Sequence, residues 1–316
     1  LRAVLLRIFN ERVVVVALTL VVLGTNLVGQ IITDLTMPHL TLFAVQCGVL
    51  YQTVRWYEGR RWMNAIALGL LLGLAALIRP TEIICVLIPL LWGVTSGLGT
   101  HIRTACRYWQ QWVTIGAVIL LVGFIQLLYW KSATGHWFVD PYNNPAEGLD
   151  FLSPYTSNFL FSYRKGWLLY TPIMVLGVLG LVLLPRKWKQ ASVAVITLVV
   201  VYVYVTSSWS CWWYAGSYGS RPMVALYGVM AIPLAAMIAV ALDRPHRLKW
   251  LGLALILLCI PVNLFQSWQH EKGLIDSSRM TKAAYWAVFG RTERPEGFND
   301  LLLVERKTTY AQAAPD

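Results

Sequence analysis

The feature that most constrains this chain is a series of apolar runs about as long as a bilayer core is thick. A helix needs roughly 20 apolar residues to cross a hydrocarbon layer of ~30 Å. Nine stretches come near that measure, at about 13–32, 39–56, 63–78, 82–97, 112–130, 167–184, 191–208, 222–242 and 250–266. A segment in hydrocarbon must satisfy its own backbone hydrogen bonds, which selects helices. Composition agrees, because the 316 residues are 57% hydrophobic and only 13% charged, whereas a soluble domain carries about 25% charge. The expected fold is an all-α integral membrane protein of about nine transmembrane helices, covering 1–266 and followed by a tail, 267–316.

The net charge of +11 does not point to nucleic acid. The cations sit in short loops between apolar runs, where they set topology, and no basic face is interleaved with aromatics. With the N-terminus inside, the inner segments hold fourteen Lys and Arg and the outer loops five, Arg79, Lys131, Arg164, Lys165 and Arg221. That excess predicts a cytoplasmic N-terminus and an extracytoplasmic tail in a multi-pass membrane protein. The long elements then face outward: the loop 131–166, the loop 207–222 and the tail, in which 280–290 reads as a short amphipathic helix. The inner connections read as plain basic connectors. Cys47, Cys85, Cys106, Cys211 and Cys259 form no CxxC pair, so neither a disulfide framework nor a zinc site is expected.

The outer loop "SSWSCWWYAGSYGSRP" concentrates chemistry. Trp209, Trp212, Trp213, Tyr214 and Tyr218 offer apolar ring faces and polar edges suited to a sugar. Arg221 opens the eighth apolar run, where its guanidinium and helix amides suit a phosphate. An interfacial belt of aromatic anchors has the same composition. Arg164 and Lys165, in "SYRKGW", either make a second phosphate-facing cluster or flank the membrane. Arg79 and Glu82, in "IRPTEI", either pair with each other or serve a lipid phosphate. Asp34, Asp140 and His39 are the acid–base candidates, each also explained as a turn, cap or interfacial residue. No nucleotide loop, nucleophile elbow or HExxH motif occurs. No ligand cluster calls for a metal, which leaves a divalent cation beside a phosphate open.

"GTNL" at 24–27, "MPHLTLF" at 37–43, "RWYEGRRW" at 55–62 and "LGLLLGLAALIRPTE" at 68–82 resemble the middle of C-type membrane glycosyltransferases, glycosyltransferase family 39 above all. "GWLLYTP", "WWYAGSYGSRP" and "FQSWQHEKGLIDSSRMTKAAYW" look like one bacterial, Bacteroidetes-like branch. The resemblance implies transfer of a sugar from a polyprenyl-phosphate donor to a lipid, glycan or protein acceptor on the extracytoplasmic face, with inversion. It carries Arg79 and Arg221 over as phosphate contacts, and it places the catalytic carboxylate in the first outer loop. Asp34 does not stand in that context. The chain starts with Leu1 and resembles the family from its third or fourth helix onward, so an N-terminally truncated enzyme is expected, or a descendant that no longer catalyses. The other classes open at this point are a flippase for a lipid-linked glycan and a non-catalytic membrane subunit of an envelope complex.

Overall fold

The computed structural model describes residues 1–33, 36–139 and 147–304. Among these the regular elements are all helices, and an isolated β-bridge joins Leu149 to Trp209. Three helices are long and apolar enough to cross a membrane: Trp109–Thr134, Lys189–Ser207 and Gly252–Glu271. The last belongs to a longer helix, His246–Glu271.

Several predicted spans are interrupted, each at a residue that breaks helices. The first divides into Glu11–Leu23 and Leu27–Thr33 at "GTN". Asn10 starts it by accepting the Val13 amide at 3.0 Å, a normal N-cap. The fourth expected span is a 3-10 stretch, Pro80–Val86, followed by short turns Leu87–Leu91 and Val94–Ser96. Pro80, Pro89 and Gly93 explain why no long α-helix forms there. The sixth breaks after Trp167–Tyr170 and resumes as Ile173–Gly180, with Pro172 at the break. The expected tail helix is present as Lys282–Val288, capped by Thr281. One connector expected to face inward is no plain linker, since Leu98–Arg107 forms a helix of its own.

Tyr227–Leu242 is the core helix, with Tyr227 through Ala236 all buried. Around it pack Ile173–Gly180, Glu11–Leu23 and His39–Gly59. Trp109–Thr134 lies at the periphery, where Leu120, Leu121 and Ile125 are exposed, and it docks on Trp62–Ile78. That contact is a small-residue seam. A Cβ on Gly69 would come within 2.8 Å of Val118 Cβ, and one on Gly73 within 2.8 Å of Val122 Cβ. Close backbone approach of this kind drives helix association where no hydrophobic effect operates.

Side-chain and backbone contacts sort the connections into two groups. In one, Arg7 meets Glu58 at 2.7 Å, Trp56 donates to Gln111 at 2.6 Å, and the Gly93 amide donates to Gln190 at 2.9 Å. In the other, Asn26 donates to the Tyr218 carbonyl at 3.1 Å and Asn263 to the Thr25 carbonyl at 2.7 Å. The aromatic loop, the 147–166 segment and the tail all belong to this second end.

Candidate functional site

The second end is built on Glu82. Its carboxylate is 1% exposed, and burying a charged group requires partners. Gln46 donates to Oε2 at 2.8 Å, and the Tyr202 hydroxyl lies 2.8 Å from Oε1 and 3.0 Å from the Pro222 carbonyl. The carboxylate thereby ties the His39–Gly59 helix, the Lys189–Ser207 helix and the turn at Arg221–Val224 to its own 3-10 stretch. Arg79 precedes that stretch and Arg221 opens that turn, so one buried acid fixes where both arginines start.

Arg79 and Glu82 make no ion pair; the ion pairs among the described residues are Arg2–Glu11, Arg7–Glu58 and Arg279–Asp276. The Arg79 guanidinium instead lies 5.7 Å from the centre of the Tyr214 ring. Arg221 Nη1 is 3.7 Å from Met37 Sδ. Both guanidiniums act electrostatically on Tyr214 and on His39, so the four side chains share one neighbourhood. His39 is 5% exposed, and its Nδ1 has no hydrogen-bond partner among the described residues. Tyr214 donates to the Thr206 carbonyl at 2.9 Å. Burial raises its phenol above the ordinary range against the opposing pull of the two arginines, so it is a neutral donor at physiological pH.

Tyr214 has a left-handed backbone, φ 41°, uncommon for a residue with a side chain. Trp213, just before it, stacks under the Arg164 guanidinium at 3.6 Å. Adjacent rings of one loop therefore serve two different cations, Tyr214 that of Arg79 and Trp213 that of Arg164. Arg164 also donates from Nε to the Ser278 carbonyl at 2.6 Å, which ties it to the tail. Trp212 meets Trp213 edge-on at 5.8 Å and is 8% exposed.

The other predicted rings of the loop and Lys165 have separate settings. Tyr218 is 3% exposed and packs with Tyr170, its hydroxyl 3.0 Å from Gln266 Oε1. Trp209 is half-buried and forms the bridge to Leu149. Lys165 is 2% exposed, with Nζ 3.3 Å from Ser217 Oγ, so it is packed against the loop. Asp34 and Asp140 lie outside the described residues. At Arg221 the chain makes a 3-10 turn, and the α-helix starts only at Tyr227. The helix amides expected beside Arg221 are therefore further along the chain. Among the described residues no group of three or more His, Cys, Asp or Glu could hold a metal.

Sequence reasoning missed Gln46, Tyr202 and Asn26. Asn26 donates to the Tyr218 carbonyl and accepts from the Tyr227 hydroxyl at 2.6 Å, setting the aromatic loop on the core helix. The signal was a polar residue inside an apolar run, which calls for a buried partner. Compared with family models, with curated proteins and with solved structures, the chain has no match.

Proposed function

We propose that the protein is a multi-pass membrane glycosyltransferase that takes its sugar from a polyprenyl-phosphate donor on the extracytoplasmic face. The observation that carries this reading is that the Arg79 guanidinium lies 5.7 Å from the Tyr214 ring and Arg221 Nη1 lies 3.7 Å from Met37 Sδ, both at one end of the helix bundle. The Arg79 guanidinium has no carboxylate within ion-pair distance among the described residues, and it stands beside a tryptophan-rich loop. A phosphate on a long apolar tail suits that setting. Its oxygens meet two planar donors, and its chain runs along the lipid-facing helices. Nine spans with the N-terminus inside would put this end on the extracytoplasmic side.

In the proposed reaction an acceptor hydroxyl on a lipid, glycan or protein attacks the anomeric carbon. The bond from that carbon to the phosphate oxygen breaks, and the electron pair leaves with the polyprenyl phosphate. Arg79 and Arg221 stabilise that departing anion, and Tyr214 holds Arg79 in place. The hydroxyl proton passes to a general base, which in the proteins the chain resembles is a carboxylate of the first outer loop. Loss of one such donor typically lowers turnover about 100- to 1,000-fold.

The test is sugar transfer in nanodiscs from polyprenyl-phosphate hexose and pentose donors. The native protein should transfer sugar, and Arg221→Ala and Arg79→Ala should each reduce turnover by about two to three orders of magnitude. Unchanged transfer in both variants would remove the site assignment.

A further inference from the structure

We infer that the Leu98–Arg107 helix lies along the membrane surface and gathers anionic phospholipid headgroups, together with the basic segment 186–189. The inference rests on the chain lying in a membrane and not on sugar transfer.

The rest of the protein leaves this helix uncovered. None of its ten residues is buried, and its His101 ring touches the Leu90 carbonyl at 3.0 Å. Leu98 and Ile102 are 65% and 52% exposed, and Cys106 is exposed as well. Spaced four apart, these three form one apolar ridge. Arg103 and Arg107 each follow a ridge residue by one position, about 100° further round, and make an exposed basic ridge beside it. An apolar ridge flanked by cations is the pattern of a helix lying in the interface, with its apolar side among acyl chains and its charges at the headgroups.

Two large apolar side chains would hold a free helix to a bilayer only weakly. Here the helix needs little affinity of its own, because Trp109–Thr134, long and apolar enough to cross a membrane, starts just after Tyr108. Trp109 and Val113 are each 58% exposed, so apolar surface continues along the chain from the ridge into the lipid-facing helix.

Charge selects the lipid. The turn Val94–Ser96, which leads into the helix, is bound to the start of Lys189–Ser207. Thr95 donates to the Lys189 carbonyl at 2.9 Å, and the Gly93 amide to that of Gln190 at 2.9 Å. Arg186, Lys187 and Lys189, all exposed, therefore stand beside the entry to the helix. Neither 83–139 nor 151–242 contains an Asp or Glu, and Glu58 at this end already meets Arg7 at 2.7 Å. Five exposed cations in segments without an acid favour an anionic headgroup over a zwitterionic one. The apolar ridge beside them favours a lipid over a soluble anion or a nucleic acid.

Hydrogen exchange over 98–107 tests this, with the full chain in nanodiscs of phosphatidylcholine alone and of an equal mixture with phosphatidylglycerol. Exchange should be at least about tenfold slower in the mixture, the scale of two cations meeting an anionic surface, and added salt should shrink the difference. Arg103→Gln combined with Arg107→Gln should abolish it. Arg186→Gln combined with Lys187→Gln, which leaves the sequence of the helix intact, should reduce it. Exchange in Trp109–Thr134, compared with that of the native protein, checks the fold of each variant. Equal exchange in the two nanodiscs would overturn the inference and leave the exposed face to a protein partner. A phosphatidylglycerol response that survives undiminished in both double variants would overturn it too.

Discussion

The Tyr202 hydroxyl stands 2.8 Å from the Glu82 carboxylate, across 120 residues of sequence. This contact joins the helix that leads into the aromatic loop to the turn that carries Arg79. The spacing of the two arginines depends on it.

Tyr202→Phe should therefore destabilise the fold although it removes a single oxygen. It takes one donor from a buried carboxylate, at a cost of about 1–3 kcal/mol. Thermal unfolding in detergent should show a lowered midpoint. A midpoint equal to that of the native protein would mean that Glu82 is satisfied without Tyr202.

The seam between Trp62–Ile78 and Trp109–Thr134 makes a second prediction. At Gly69 an added Cβ meets the Ile115 carbonyl oxygen at 2.9 Å and Val118 Cβ at 2.8 Å, whereas at Gly116 it meets nothing within 4 Å. Gly69→Ala should cost about 1–3 kcal/mol by overpacking, and Gly116→Ala should be neutral or slightly stabilising. Thermal midpoints of the two variants, measured side by side, check this. Equal midpoints would mean that the helices do not pack through Gly69.

Acidification should loosen the tail through Asp276. Burial raises its carboxyl, but the Ser278 and Arg279 amides, each at 2.8 Å, and the Arg279 guanidinium outweigh burial and hold it below its ordinary value of 3.8. A depressed folded-state pKa stabilises above the unfolded value and loses that contribution as pH falls through the folded one. Hydrogen exchange in 276–290 should accelerate as pH is lowered below about 4, after correction for intrinsic rates. Asp276→Asn should flatten that dependence, and an unchanged acid response in the variant would assign it to other groups.

The apolar runs made the helical membrane class legible, because hydrocarbon leaves the backbone few alternatives. The breaks within 82–97 and 167–184 were written in Pro80, Pro89 and Pro172, yet mean hydropathy passes over single residues. Arg79, Arg221 and Tyr214 were individually visible as a cation or a ring near a membrane edge. Their grouping was not, because it depends on Glu82 reaching Gln46 and Tyr202 on distant helices. The burial of Tyr218 and Lys165 was hidden for the same reason. Composition identifies a polar-tipped side chain, and only packing shows that Gln266 and Ser217 lie beside those tips.

The central claim is that Arg79 and Arg221 hold the phosphate of a polyprenyl lipid. The most direct measurement is the affinity of undecaprenyl phosphate for the protein in nanodiscs, with undecaprenol as the uncharged control. The native protein should prefer the phosphate, and Arg79→Ala and Arg221→Ala should each weaken its binding at least about tenfold while leaving undecaprenol unaffected. Equal affinity of the native protein and both variants for undecaprenyl phosphate would contradict the account.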